Sequence, residues 1–314
     1  MEQGNLEGVF TDNQPGINAY HVSVMKDEAV EALNVCQNGK YIDCTMGGGG
    51  HTLEIVKRGG RVLSIDTDSD AINWVRKNIV DWGIDAQIGS NLFLVKGNFK
   101  DLKKIAGKIG FDKVSGIIYD LGVSTHQLKT VGRGFGFQNS DLLDMRMNQN
   151  EGESAKDVIN TKTKEELYEI FTKFGEEKFA WQIADGVVRA RHLKTIETTE
   201  ELKEIVLKIR GKSGKDRTHP ATRVFQALRI YVNSELDALK ESLPNALDLL
   251  VKDGRLAVIS FHSLEDRIVK LFMQNEEKKG SLRQITKKPI RPNMEEINFN
   301  ASSRSGKLRI AVKN

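Results

Sequence analysis

Four consecutive glycines, Gly47 to Gly50, separate a short apolar stretch (Tyr41-Ile-Asp-Cys-Thr45) from a helical pattern that opens at His51. A turn without side chains lets a ligand lie against bare backbone N–H groups near the positive end of a helix. Nineteen residues past Gly47, Asp66 closes a second apolar run, Arg61-Val-Leu-Ser-Ile65. A carboxylate about 20 residues beyond a glycine turn, at the tip of the next strand, is placed to hold ribose hydroxyls. The spacing points to a ribose-bearing cofactor.

Its chemistry can be narrowed. The dinucleotide pattern G-x-G-x-x-G fails, because Thr52 stands where the third glycine would pack helix on strand. No G-x-x-x-x-G-K-[ST] phosphate loop is present either. Asp43, just before the glycines, would repel a diphosphate yet suits the positively charged methionine end of S-adenosylmethionine, so a methyl donor is favoured. Asp120-Leu-Gly-Val-Ser124 follows the fourth apolar run, where a substrate would meet that donor. Methyl transfer is an in-line displacement, in which an enzyme mainly aligns its reactants. An attacking amine gains positive charge, which the Asp120 carboxylate or nearby backbone carbonyls would stabilise. Pyrimidine C5 methylation needs a cysteine nucleophile, and neither Cys36 nor Cys44 follows that strand; the Pro-Pro-aromatic signature of DNA amino-methyltransferases is absent too.

Other candidates have competing readings. Ser263 with Asp266 reads as a capping box, which leaves His262 as a substrate contact or a satisfied structural histidine; with Asp120 it is the candidate catalytic residue. Arg133, Phe135 and Phe137 lie in Gly-Arg-Gly-Phe-Gly-Phe, where the aromatics either stack on bases or pack in a core. His219, with Arg223 and Arg229 downstream, is read as substrate-facing, and Asn233 extends the polar stripe Thr222, Gln226, Arg229.

The elements that must position these residues alternate. Strands are expected at 40–45, 61–66, 92–96 and 114–120, with helices at 51–58, 69–80 and 99–107, which makes a parallel sheet covered on both faces. After Asp120 the rhythm stops, and helical patterns at 164–174, 176–193 and 199–211 follow a loop-like stretch. The expected fold class is α/β: a sheet domain (21–135 and 216–314) interrupted by an inserted helical domain (136–215), behind a flexible tail (1–20). Beyond the insertion the pattern gives one long helix from Pro220 to Leu239, a second at 244–252, a strand at 255–261, and two closing strands forming an antiparallel edge.

A chain of 314 residues with 39% hydrophobic and 29% charged residues buries a full core. Two cysteines give neither a disulfide framework nor a metal site. Residues 1–20 carry no Lys or Arg, and no apolar run approaches membrane length, so a cytoplasmic protein is expected. The net charge of +4 is mild, but Lys208–Arg229 and Lys278–Arg291 are cationic tracts that either face phosphates or form a solvated surface. The oligomeric state stays open, a homodimer included.

Assembled, these stretches resemble the bacterial small-subunit (16S) rRNA cytosine-N4 methyltransferase family (RsmH, also called MraW). The matching residues include Tyr41–His51, Asp120–Ser124 with Gln127-Leu128, Arg133–Phe137, Leu143–Met147, His219–Arg229, Val232–Leu236, Ile259–Val269 and Lys307–Ile310. The resemblance implies a class I Rossmann-like S-adenosylmethionine-dependent domain with an inserted substrate-recognition domain. It also implies methylation of the N4 amine of a decoding-region cytidine in the small ribosomal subunit. By position it implies S-adenosylmethionine contacts at Gly49, Gly50, His51, Asp66, Phe99, Asp120 and Gln127. The sequence departs from the family pattern at His126, at Asp141-Leu142 and at Asn300-Ala-Ser-Ser303. The alternative is a non-catalytic rRNA-binding or assembly factor on the same fold.

Overall fold

The computed structural model describes residues 22–79, 86–138, 140–211 and 219–314. The expected tail (1–20), the basic residues Lys212, Lys215 and Arg217, and the domain boundary at 215/216 lie outside the described residues. The first half alternates as the sequence pattern requires: α1 Lys26–Ala32, β1 Lys40–Asp43, α2 Gly50–Lys57, β2 Arg61–Asp66, α3 Ser69–Asn78, β3 Leu92–Lys96, α4 Leu102–Ile109 and β4 Val114–Asp120. Among the described residues six helices follow: α5 Thr125–Lys129, α6 Ala155–Thr161, α7 Lys164–Gly175, α8 Ala180–Leu193, α9 Thr199–Arg210 and α10 Thr222–Asn233. The chain closes with α11 Glu235–Leu249, β5 Leu250–Ser260, α12 Ser263–Lys278, β6 Leu282–Gln284, α13 Met294–Phe299 and β7 Lys307–Lys313.

Among the described residues the strands form one seven-stranded sheet in the order β3-β2-β1-β4-β5-β7-β6. Neighbours from β3 to β5 run parallel, and β7 is antiparallel to both β5 and β6. Successive strand side chains point to opposite faces, and the burial follows that period. Ile42, Leu63, Ile65, Ile117, Tyr119 and Val258 enter one core, while Tyr41, Val62, Ile118, Ala257 and Ile259 enter the core on the other face. Burial on both faces is why these strands read as continuous apolar runs.

A third core belongs to the helices between β4 and β5, built from residues such as Val158, Leu167, Phe171, Ile183, Val187, Leu202 and Val206. Ser154, Thr163 and Thr198 open α6, α7 and α9 with Asp157, Glu166 and Glu201 three residues on, each pair a reciprocal capping box. The apolar face of α10, with Val224, Phe225, Ala227 and Leu228, packs into this core rather than against the sheet.

Three expectations need correction. The long helix expected over 220–239 breaks at Ser234, whose left-handed backbone (φ 50°) ends α10 and begins α11. The helix expected at 244–252 is the second half of α11, which runs through Pro244. α12 is capped by His262 and Glu265 rather than by Ser263 and Asp266: the Glu265 N–H points to His262 Nδ1 at 3.4 Å, and Glu265 Oε2 accepts from the N–H groups of Phe261 and His262. Loss of a cap costs about 1 kcal/mol. Denaturant unfolding of His262→Ala should therefore show about that loss; an unchanged midpoint would refute the cap.

Candidate active site

In open α/β sheets ligands bind beyond the carboxyl ends of the strands, and a crevice opens there past β1, β2, β4 and β5. After β1 the chain turns through Met46, whose N–H donates to the Ile65 carbonyl, and Gly47, whose N–H donates to Asp66 Oδ2 at 2.8 Å. Gly47 has φ +50° and Gly49 φ +84°, left-handed values that favour glycine. Asp66 Oδ1 accepts from the Asp68 N–H at 2.8 Å. Burial pushes the Asp66 carboxyl up to about 6, although these two backbone N–H groups pull it down.

Asp120 ends β4, and its N–H donates to Thr45 Oγ1 at 2.6 Å. His51 Nδ1 lies 3.7 Å from Asp120 Oδ2. Phe99 and Asn98 line the crevice beyond β3, the Phe99 ring set edge-on to Tyr119 at 5.6 Å between centroids. The far wall carries Asn233, Glu235, Phe261 and Glu265. Four carboxylates (Asp66, Asp120, Glu235, Glu265) therefore line the crevice, and among the described residues its lining holds neither Lys nor Arg. Arg229 pairs Glu235 through Nε–Oε1 and Nη2–Oε2, both 2.8 Å. Burial alone would raise the Glu265 carboxyl, but the His262 hydrogen bond and the His262 and Arg229 charges bring it below its ordinary value. Even with Arg229 set against Glu235 behind the wall, the lining is acidic, which favours a cation over a phosphate.

Several sequence-assigned residues meet here: His51, Asp66, Phe99, Asp120, Gln127 and Asn233 all line the crevice. Gln127 is held, its Oε1 accepting from the Ser124 N–H and its Nε2 donating to Asp68 Oδ2. Asn233 donates to the Met145 and Arg229 carbonyls and accepts from the Met147 N–H.

Other residues sit elsewhere. Gly49 and Gly50 are outside the lining: Gly49 precedes α2, and a Cβ on Gly50 would fall 2.2 Å from Ser23 Oγ. Asp43 is fully buried, tying β1 to α2 by accepting from Thr52 Oγ1 at 2.7 Å and from the Thr45 N–H, so it faces no ligand. His262 is behind the wall, with Nδ1 in the cap and Nε2 at 3.0 Å from Glu265 Oε1.

Arg133 and Phe135 are 3% and 6% exposed, so neither presents a stacking surface. Arg133 donates to Asp68 Oδ2 at 2.8 Å, to Asp70 Oδ2 at 3.2 Å and to the Arg146 and Met147 carbonyls, which pins the segment after α5 onto the start of α3. Phe135 packs in the helical core. Phe137 stacks on His219 at 4.8 Å, and burial lowers that histidine below its ordinary value. Arg223 donates to the Glu176 carbonyl at 2.7 Å, at the surface. The sequence reading missed Gly47, Glu235 and Glu265 as assigned site residues. Glu235 stands two residues past the polar stripe, a usable signal, whereas Glu265 was masked by the cap assigned to Asp266.

The sheet order with its single antiparallel strand, and a ligand crevice at the strand ends, define a class I methyltransferase architecture. The MraW methylase family profile matches residues 18–314, and the chain belongs to that family. It is 43% identical over 309 residues to the ribosomal RNA small subunit methyltransferase H of Carboxydothermus hydrogenoformans, covering 93% of this chain and 97% of the relative. The protein of the same name from Clostridium botulinum (strain Loch Maree / Type A3) is 42% identical over 311 residues, covering 93% and 98%. Among solved structures, an rRNA methylase from Streptococcus thermophilus shows a loose likeness, with a TM-score of 0.43 and 12% identity over 92% of this chain and 93% of that one.

Two outcomes follow from these contacts. Arg133 and Asp68 side chains are each 4% exposed, and removing one partner of a buried pair typically costs 3–5 kcal/mol. Arg133→Met should lose about that much in denaturant unfolding, and a loss under ~1 kcal/mol would show the pair to be dispensable. Asp66 binds its proton more tightly folded than unfolded between its ordinary 3.8 and about 6. Its contribution to stability therefore declines as pH rises across that window. Asp66→Asn should lack this decline in pH-dependent unfolding; parallel wild-type and variant curves would contradict it.

Proposed function

We propose that the chain transfers a methyl group from S-adenosylmethionine to the exocyclic N4 amine of a cytidine in the decoding region of small-subunit (16S) rRNA. The observation that carries this reading is the crevice lining itself, four carboxylates and, among the described residues, no Lys or Arg. That set fits a sulfonium nucleoside and disfavours a phosphate-bearing cofactor. The names of the relatives support small-subunit rRNA as the target.

When bound, S-adenosylmethionine supplies an electrophilic methyl group. In this reading Asp66 accepts the ribose hydroxyls, the Gly47 turn gives the nucleoside a side-chain-free seat, and Phe99 offers an apolar face for the adenine. Asp120 meets the attacking amine, accepts its N–H and stabilises the charge that grows on nitrogen. The neutral amine needs no covalent nucleophile, consistent with both cysteines lying off the β4 loop. Residues 136–215 together with α10 act as the substrate-recognition unit, pinned to the cofactor side by Arg133, Gln127 and Asn233.

Mass spectrometry of small-subunit rRNA from cells with and without the protein should show one N4-methylcytidine lost in its absence. Asp66→Ala should weaken S-adenosylmethionine binding by roughly 10- to 100-fold in calorimetry, the loss of a charge-assisted hydrogen bond of roughly 1.5–3 kcal/mol. Asp120→Ala should bind cofactor yet abolish turnover. Unchanged rRNA methylation in deleted cells would refute the reading.

A further inference from the structure

Residues 278–314 carry ten Lys or Arg, opposed by Glu295 and Glu296 alone, in a chain whose net charge is +4. The fold decides which of these cations meet solvent. Arg309 is buried, its Nε 2.7 Å from Asp266 Oδ1, and Lys307 Nζ lies 3.5 Å from Asp266 Oδ2. Lys313 donates to the Leu247 and Leu250 carbonyls. Arg283, Lys287, Lys288 and Arg291 are exposed, and none of them makes an ion pair among the described residues. Glu277 lies within electrostatic reach of Arg283 and Lys287, but its two oxygens accept from the Gln284 N–H at 2.8 Å and from Gln284 Nε2 at 2.7 Å. The arginines of the other cationic tract turn inward: Arg210 pairs Glu177, Arg223 holds the Glu176 carbonyl and Arg229 pairs Glu235.

The exposed cations stand at the crevice end of the sheet. Leaving β6, the chain follows β7 toward the carboxyl ends of the parallel strands: the Ile285 N–H donates to the Ile310 carbonyl, and Ile290 exchanges both backbone bonds with Leu308 at 2.9 and 3.0 Å. Leu308 pairs with Ile259, two residues before Phe261 in the crevice wall. The loop holding Lys287, Lys288 and Arg291 is therefore two strand spacings, roughly 10 Å, from the end of β5. Arg309 Nη1 donates to the Lys287 carbonyl at 3.4 Å, and Thr286 Oγ1 accepts from the Ile310 N–H at 3.2 Å, which pins the loop in place. Past it, Glu296 Oε1 on α13 accepts from the Met25 N–H at 2.6 Å and Asn300 donates to the Val22 carbonyl, on either side of Ser23 in the crevice lining. Protection of a sheet edge accounts for charge on β6 itself, but these three cations lie beyond that strand.

We infer that Lys287, Lys288 and Arg291 form a phosphate-binding rim, which holds the rRNA backbone beside the crevice while the target base enters it. The inference rests on the methyl-transfer reading above. A nucleotide reaches the crevice with a phosphate on either side of it, and the acidic lining disfavours both. The backbone must therefore be held outside, by cations at the mouth. Phosphate contacts set the register of a nucleic acid without reading its sequence. A basic loop tied to β7 before and after its cations does that, and leaves selection of the base to the crevice.

The test measures binding of the full chain to a transcript of small-subunit rRNA across a salt series. Each phosphate contact contributes about 0.7–0.9 to the slope of log K against log salt. The triple variant Lys287→Gln, Lys288→Gln, Arg291→Gln should flatten that slope by roughly 2 to 3 and weaken binding at low salt at least ~10-fold. Its affinity for S-adenosylmethionine in calorimetry should equal that of the wild type, which also reports that the variant is folded. A second triple variant, Lys57→Gln, Lys108→Gln, Lys113→Gln, removes as many exposed cations from the amino ends of the strands and should keep the wild-type slope. An unchanged slope in the first variant, an equal loss in the second, or polyglutamate bound as tightly as the transcript would each overturn the rim. The salt slope needs no cofactor, so failure of the wild-type chain to bind S-adenosylmethionine would count against the methyl-transfer reading alone.

Discussion

The hydrogen bond from the Gly47 N–H to Asp66 Oδ2 closes the glycine turn after β1 onto the tip of β2, and the crevice takes its shape from that closure. It fixes a carboxylate at the edge of a parallel sheet, where burial opposes its charge. Asp120 adds a second acid to the crevice from the end of β4, and Asp43 a third, buried behind it at the end of the neighbouring β1. A fold that gathers acids at strand ends carries an electrostatic strain that a bound cation relieves. The chemistry of the site and its cost to stability thus have one origin, and a positively charged methyl donor answers both.

The sheet and the helical core are separate packing units, and their relation is set by polar ties. Asp68, one of the residues that brace Asp66, also accepts from Gln127 and Arg133. Arg133 in turn holds the carbonyls of residues 146 and 147, and Asn233 holds the N–H of Met147 and the carbonyl of Met145. Through this chain of contacts the wall that would face a substrate is referenced to the wall that would face the cofactor. Two reactants needing in-line alignment are best served by such a rigid frame.

Much of this was legible in the sequence. Strands 61–66, 92–96 and 114–120 stand where their apolar runs placed them, since burial on both faces leaves a strong local signal. Asp66 and Gly47 were paired by spacing alone. What escaped depends on tertiary contact. Ser234 breaks a helix whose apolar pattern continues across it, because the two halves bury against different cores. Arg133 looks like a surface cation until Asp68 and Asp70 are brought to it by the fold. Glu235 and Glu265 reach the crevice from 115 and 145 residues beyond Asp120, and no local pattern announces such a meeting.

The most direct test of the central claim, an acid-lined crevice made for a cationic nucleoside, is calorimetric titration of the purified chain with S-adenosylmethionine and, separately, with ATP. The account predicts one S-adenosylmethionine bound per chain and no heat of binding from ATP. Binding of ATP at that site, or no binding of S-adenosylmethionine, would contradict it.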